Sequence, residues 1–186
     1  GHYHLFGHVR DDLAGISLSP EEIDIVIITH GHPDHMSGND MLKAAVGGEV
    51  LIHELDAFKL TDPVRNASRM FGFDVHVRPS DRILASGETI ALGRLSLKVL
   101  HTPGHSAGGI ALLGDGYVFT GDTLFAGSIG RSDLPCSSEE NTIAFDVLLD
   151  SIRTKLLTLP GETLVFAGHG PPTTIAEEKR SNPFLR

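Results

Sequence analysis

The sequence has no tryptophan, one cysteine and two tyrosines among its 186 residues, and it contains no long hydrophobic run. A lone Cys136 excludes an intramolecular disulfide framework and is typical of a reducing compartment. Residues 23–28 form the longest strongly apolar run and include Asp24, whereas a membrane span needs about 20 apolar residues. Residues 1–10 lack the basic and apolar regions of a signal peptide. We therefore expect a cytoplasmic protein.

Positive charge is also scarce, since 15 Lys and Arg residues face 24 Asp and Glu residues, for a formal net charge of −9. Nucleic-acid binding needs clustered basic side chains that meet phosphates, so this balance argues against such a partner. Apolar residues make up 40% of the chain and charged residues 21%, as in globular proteins. The length predicts a single domain over residues 1–186, with residues 1–22 its least defined part.

Short apolar segments alternate with helical patterns and turns along the chain. The predicted strands are 25–29, 49–53, 89–92, 95–100, 109–113, 117–120 and 163–167, the first and the last of them buried. The predicted helices are 34–46, 55–59, 138–157 and 174–180, with a helical turn at 17–22 and an irregular stretch at 60–79. Tight turns such as Gly93-Arg94 predict hairpins, so we expect an α+β fold with a mixed sheet.

The motif HGHPDH, which begins at His30, places three histidines and one aspartate directly after the first predicted strand. His30 and His32 are two residues apart, a spacing at which an extended chain aims both imidazoles to one side. Asp34 and His35 lie at the start of the next helix and can face a neighbouring position. The motif therefore predicts a strand-to-helix turn that presents two adjacent metal positions.

Three further candidates each follow an apolar strand and have glycine beside or close to them: His105, Asp122 and His169. Glycine allows the close backbone approach that a crowded metal loop needs. Four strand ends thus deliver seven potential ligands to one edge of a sheet. Nitrogen and oxygen ligands suit Zn²⁺, Fe or Mn, and we expect one or two zinc ions. His101 is predicted to support the His105 loop, and His53 is predicted to be structural.

At these residues the sequence resembles the metallo-β-lactamase fold superfamily. The segments GDTLF at 121–125 and GRSDL at 130–134 are similar to its glyoxalase II-like branch, the hydroxyacylglutathione hydrolases. The segment NPFLR at 182–186 is similar to the short, single-domain bacterial members. The resemblance implies an αββα sandwich with mixed sheets. Members normally begin with two strands before the histidine motif, and residues 1–22 are few and polar, so we expect an incomplete N-terminal edge.

The resemblance also implies a dinuclear site and a reaction. One ion takes His30, His32 and His105, a second takes Asp34, His35 and His169, and Asp122 bridges them. A metal-bound hydroxide would attack a thioester carbonyl, with Asp34 orienting the hydroxide. The protein would then be a thioester hydrolase of glyoxalase II type, and whether it recognises glutathione stays open.

Other functions remain open at this point. A persulfide dioxygenase of the same branch would use one iron held by His30, His105 and Asp122, and a lactonase would use the same hydroxide. Arg131 either contacts an anionic substrate group or pairs with Asp133 to hold its loop. The expected partner is a small-molecule thioester or related substrate, with neither nucleic acid nor membrane, and the oligomeric state is left open.

Overall fold

The computed structural model describes residues 13–134 and 141–186. In these residues the strands are β1 to β11: Ile25–Ile28, Glu49–His53, Arg82–Leu84, Thr89–Leu92, Leu95–His101, Ile110–Leu113, Tyr117–Gly121, Leu124–Phe125, Ser128–Ile129, Leu164–Ala167 and Thr173–Thr174. The helices α1 to α5 are Pro33–Met36, Asn39–Val46, Glu54–Ala57, Asn141–Ser151 and Ile175–Ser181. Helix α4 continues as a π-helical turn, Ile152–Leu156, and 3₁₀ turns lie at Pro20–Glu22, Phe58–Leu60 and Ser68–Phe71.

The strands form two main sheets. Strands β1, β2 and β3 pair in that order and run parallel. The six-stranded sheet has the order β11-β10-β7-β6-β5-β4, in which only the pairing of β10 with β7 is parallel, so this sheet is mixed. Strands β8 and β9 form a separate short hairpin. A backbone hydrogen bond of 2.9 Å from Ile110 N to Thr29 O joins the two main sheets.

Three apolar clusters divide the molecule into four layers. The central cluster joins the inner faces of the two sheets, as in the packing of Leu51 and Leu84 with Val99 and Ile110. A second cluster covers the outer face of the three-stranded sheet and includes Met36 of α1. The third packs α4 and its π-helical continuation on the six-stranded sheet. This order of layers confirms the predicted αββα sandwich of class α+β.

Most predicted elements are present, and two have bounds identical to the prediction, namely β2 and β4. The single helix predicted over 34–46 is wrong, because the chain forms α1 and α2 with Ser37 and Gly38 between them. Gly38 is unfavourable inside a helix and here precedes the first residue of α2. The buried strand predicted at 25–29 is only partly correct, since Ile28 alone is fully buried and β1 lies at an edge of its sheet. The buried strand predicted at 163–167 is also only partly correct, since Val165 is the one buried residue of β10.

Sequence reasoning missed the shortest strands, which are β3, β8, β9 and β11. Segments of two or three residues carry no alternating pattern, so pairing with neighbouring strands decides their conformation. The described residues before β1 contain a 3₁₀ turn, as predicted, and no strand. The predicted beginning of the helix at residue 138 and the lone Cys136 lie outside the described residues. No helix in the described ranges is long and apolar enough to cross a membrane.

Candidate metal centre

All seven predicted ligand residues converge at one edge of the sandwich. The histidine motif follows β1, the His105 loop follows β5, Asp122 follows β7, and His169 follows β10. The ligand atoms form two groups, and within each group they lie within 4.8 Å of one another. One group is His30, His32 and His105, and the other is Asp34, His35, Asp122 and His169.

The first group consists of three buried imidazoles. His105 Nε2 lies 2.9 Å from His32 Nδ1 and 3.2 Å from His30 Nε2. His105 Nδ1 donates a hydrogen bond of 2.7 Å to the carbonyl of Arg131, which leaves the lone pair on Nε2 in the neutral ring. Burial, with the neighbouring His105, lowers the pKa of His32 to about 3, and burial also lowers the pKa of His30. The three rings are therefore neutral near pH 7, the form that binds a metal.

The second group centres on Asp122, which lies between the two sets of histidines. Its Oδ2 is 3.6 Å from His105 Nε2 and 3.5 Å from His169 Nε2, and its Oδ1 is 3.3 Å from His35 Nε2. At the solvent side His169 Nε2 lies 3.1 Å from Asp34 Oδ2. One carboxylate can therefore contact ions in both groups.

The electrostatics of the second group favour a cation. Burial lowers the pKa of His35, but its contacts with Asp122 and Asp34 outweigh burial and raise the pKa to about 9. Among the described residues, the buried atoms His35 Nε2 and Asp122 Oδ1 have no hydrogen-bond partner. Unsatisfied buried donors and acceptors are costly, and a divalent cation between them would satisfy both. The residues present thus fit a metal with nitrogen and oxygen ligands.

Glycine is required where the backbone touches this centre, as the sequence predicted. A Cβ atom on Gly168 would lie 2.3 Å from Asp122 Oδ1 and 2.7 Å from His35 Cε1. Gly121, directly before Asp122, has a φ of +50°. Side chains at either position would displace the proposed ligands or strain the backbone.

A buried ion pair behind the centre was missed by sequence reasoning. Asp56 accepts hydrogen bonds from Gly31 N at 2.7 Å and Gly108 N at 2.8 Å, and it also accepts one from the hydroxyl of Ser106. Lys59 Nζ lies 3.1 Å from Asp56 Oδ1, and both side chains are almost wholly buried. This pair therefore ties together the two loops that carry the buried histidines. An acidic residue and a lysine three residues apart are typical of an exposed helix face, so the sequence did not predict that this pair would be buried.

Two further histidines, His53 and His101, support the loops around the centre. The rings of His53 and His101 stack with their centroids 4.3 Å apart, and His101 Nε2 lies 2.8 Å from the carbonyl of Ala107. His101 therefore contacts the His105 loop, as predicted. His53 Nδ1 accepts a hydrogen bond from Leu55 N at the start of α3, which agrees with its predicted structural role.

A cleft of about 890 Å³ opens onto both groups of ligands. Arg131 lines this cleft, with its guanidinium joined to Asp133 by two hydrogen bonds of 2.9 and 3.1 Å. This Arg131–Asp133 pair agrees with the interpretation in which Arg131 binds Asp133 and thereby holds its loop. Its side chains are 60% and 71% exposed, so the guanidinium is also accessible to a ligand.

Comparisons with known proteins agree with this geometry. A family model described as the metallo-beta-lactamase superfamily matches residues 5–169. The probable metallo-hydrolase YqgX of Bacillus subtilis is 37% identical over 163 residues, which cover 86% of this chain and 74% of the relative. The hydroxyacylglutathione hydrolase GloC of Haemophilus influenzae is 38% identical over 174 residues, which cover 89% of this chain and 79% of the relative.

Solved structures show the same fold. BLEG-1, a B3 metallo-beta-lactamase, has a TM-score of 0.85 and 34% identity, with 96% of this chain and 83% of that chain covered. TTHA1623 in a di-iron-bound form has a TM-score of 0.77 and 36% identity, with 96% and 84% covered. ETHE1 from Myxococcus xanthus has a TM-score of 0.69 and 30% identity, with 97% and 69% covered.

Proposed function

The chain belongs to the metallo-beta-lactamase superfamily, as its histidine motif predicted, and from that membership we propose that it is a metal-dependent thioester hydrolase. The proposal rests on the convergence of seven His and Asp side chains in two adjacent groups, five of which line one cleft. The hydrolase names of two relatives, one of them a hydroxyacylglutathione hydrolase, support it.

We assign each group of ligands to one ion. His30, His32 and His105 would hold one ion, Asp34, His35 and His169 would hold a second, and Asp122 lies between the two groups. When bound, such ions supply an activated water as nucleophile and a Lewis acid for the substrate carbonyl. The protein holds these ligands in place, as when the Arg131 carbonyl orients the His105 ring. The partly exposed carboxylate of Asp34 faces the cleft, where it would orient the attacking water.

The choice of a thioester rests on the leaving group. A thiol with a pKa of about 8.5 departs as thiolate without a proton donor. Apart from the proposed ligands, Arg131 is the one ionisable side chain among the described residues that line the cleft. An arginine does not lose its proton in proteins, so this part of the cleft offers no separate general acid. Esters and amides have leaving groups that need protonation, so they suit this cleft less well as substrates.

The alternative is a persulfide dioxygenase with a single iron held by His30, His105 and Asp122. Asp122 Oδ2 lies 3.6 Å from His105 Nε2, so these residues can share one ion. The similarity to ETHE1 supports this alternative, and the di-iron form of TTHA1623 supports iron as a possible metal. No observation specifically favours a lactonase of the same fold.

The two functions differ in what they require of Asp34. In the hydrolase, Asp34→Ala should weaken binding of the second ion and lower kcat by about a hundredfold or more, because the nucleophile loses its orientation. Elemental analysis should find one or two transition-metal ions per chain in the wild type, and a thioester assay gives kcat. Asp115→Ala, an exposed turn substitution, is the matched control and should change neither quantity.

Two outcomes would contradict the proposal. Purified protein that takes up no transition metal, even after reconstitution, would remove its basis. An Asp34→Ala variant that keeps its activity, together with oxygen consumption on glutathione persulfide, would favour the dioxygenase.

A further inference from the structure

Two segments of the chain contribute apolar side chains to the cleft beside the metal centre, and the chemistry of hydrolysis does not require them. Phe71, Phe73 and Val75 come from one segment, and Phe125 and Ile129 come from the β8–β9 hairpin. We call these five residues the apolar walls. A cleft of about 890 Å³ is in the size range of small-molecule sites, which spans roughly 300–1,000 Å³.

The first wall exposes large aromatic surfaces to solvent. Phe71 and Phe73 are 52% and 49% exposed, and their ring centroids lie 6.4 Å apart in a nearly parallel arrangement. Exposed apolar surface of this kind is unfavourable in water unless a partner covers it, and adjacent exposed rings commonly mark a binding site. These rings border the same cleft as the proposed ligands, so a bound substrate is the partner they would contact.

The segment that carries this wall is held by a buried polar network. The side-chain amide of Asn66, which is fully buried, donates hydrogen bonds to the carbonyls of Lys59 and Val75 at 3.0 and 2.8 Å. Asn66 Oδ1 accepts a bond from Ser68 N, and Ser68 Oγ accepts one from Val75 N, both at 2.9 Å. The aromatic rings are thus presented by a fixed loop and not by a loose one.

The second wall belongs to the β8–β9 hairpin, which is also fixed. Glu178 of α5 accepts a hydrogen bond of 2.9 Å from Gly127 N in the hairpin turn, and Asn182 Nδ2 donates one of 3.0 Å to the Ser128 carbonyl. The ring centroid of Phe125 lies 6.3 Å from that of His169. An apolar group packed against Phe125 would therefore lie beside a proposed metal ligand.

Charge in the cleft gives little support for an anionic substrate. Besides histidine, Arg131 is the one cationic side chain among the described lining residues, and Asp133 already holds it through two hydrogen bonds. Glutathione carries two carboxylates that would need such partners. We infer that the thioester substrate carries an apolar alkyl or aryl group that packs between the apolar walls, and that these walls, more than contacts with a glutathione peptide, determine substrate choice. This inference rests on the proposed function.

Binding of non-hydrolysable thioethers tests the inference apart from catalysis. Isothermal titration of the metal-loaded protein would compare S-hexyl-N-acetylcysteamine, S-methyl-N-acetylcysteamine and S-methylglutathione. Each buried methylene can tighten binding by up to about fourfold, so the hexyl compound should bind at least about tenfold more tightly than the methyl compound. S-methylglutathione should bind no more tightly than S-methyl-N-acetylcysteamine.

The variant Phe73→Ala should remove most of the preference for the hexyl compound and leave the methyl compound within about twofold. Phe58→Ala is the matched control, because Phe58 is 48% exposed in the same part of the chain and does not line the cleft. Equal binding of the hexyl and methyl compounds, tightest binding of S-methylglutathione, or an unchanged preference in Phe73→Ala would each overturn the inference. A failure to hydrolyse any thioester would instead refute the proposed function and leave the binding result standing.

Discussion

Asp56 and Lys59 form a charged pair in the interior, and each would be costly to bury without the other. Burial raises the pKa of Asp56, but the ammonium of Lys59 and the donors Ser106, Gly31 and Gly108 outweigh burial and lower it. The folded protein therefore holds Asp56 as a carboxylate. Because its acceptor atoms bond the backbone on both histidine loops, its charge contributes to the shape of the metal centre.

We predict that Asp56→Asn lowers the free energy of unfolding by about 3–5 kcal/mol, because asparagine keeps the shape but leaves the buried Lys59 charge without a counterion. Urea denaturation at pH 7 measures the change. Asp74→Asn is the control, since Asp74 pairs with Arg69 on the exposed surface and its loss should leave the unfolding midpoint unchanged.

The same variant carries a pH signature. The folded-state pKa of Asp56 is lowered, so its contribution is fully present above the unfolded pKa of about 3.9 and is lost as the pH falls through the folded value. The stability difference between wild type and Asp56→Asn should stay constant between pH 7 and about 5 and shrink in more acidic solution. A difference that grows with acid would mean that Asp56 is protonated in the folded protein.

At this scale the sequence predicted the histidine and aspartate cluster but not the pair behind it. The seven candidates were recognisable because four share one short motif and the others follow apolar strands. Asp56 lies in a short acidic segment whose composition is that of a solvent-exposed turn. Its burial depends on loops 25 and 52 residues away in the chain, which no local pattern encodes.

Helix α5 is an element whose position the sequence predicted but whose buried contacts it did not. The sequence predicted this helix, and the hydroxyl of Thr174 caps it by accepting a bond of 3.2 Å from Glu177 N. It did not predict that Glu178 would be buried, with bonds from Gly127 N and from the hydroxyl of Thr173. Through these contacts α5 anchors the β8–β9 hairpin, whose continuation carries the Arg131 carbonyl that orients His105.

We predict that Glu178→Gln loosens this hairpin, because an amide nitrogen would then compete for a position that accepts hydrogen bonds from Gly127 and Asn182. Hydrogen exchange at the backbone of residues 124–131 should become faster. Metal affinity, measured by chelator competition, should fall by about tenfold to a hundredfold, as expected when a partner of a ligand histidine is displaced.

Glu177→Gln is the matched control for this experiment. Glu177 is its neighbour on the same helix, and its side chain is 43% exposed beside Arg180. The control should leave both exchange and affinity unchanged. Slower or equal exchange in Glu178→Gln would show that α5 does not hold the hairpin.

At the scale of the whole molecule, the candidate metal centre lies where the two halves of the sandwich meet. His30, His32 and His35 follow the three-stranded sheet, whereas His105 and Asp122 follow strands of the other sheet. Periodicity predicted most strands one at a time, but pairings such as β10 with β7 depend on contacts distant in sequence. The histidine motif and the later strand ends nevertheless predicted that the seven ligands lie at one edge of a sheet, although the order of the strands was not predicted.

Because ligands come from both sheets, we predict that metal binding stabilises the whole fold. A ligand that binds only the folded state adds RT ln(1 + [L]/Kd), about 2.7 kcal/mol at a concentration one hundred times Kd. Calorimetry of chelator-treated protein should show a Tm that rises with added Zn²⁺.

The variant His105→Ala should lose most of this rise in Tm, since it removes a proposed ligand that connects the second sheet to the first ion. His76→Ala, an exposed substitution outside the proposed ligand set, should keep it. If His105→Ala showed the full rise in Tm, the added metal would be binding at another site. Metal binding by ligands from both sheets would then not be the cause of the stabilisation. If the Tm of the wild type did not change, the ligands would not hold an ion strongly enough to couple the sheets.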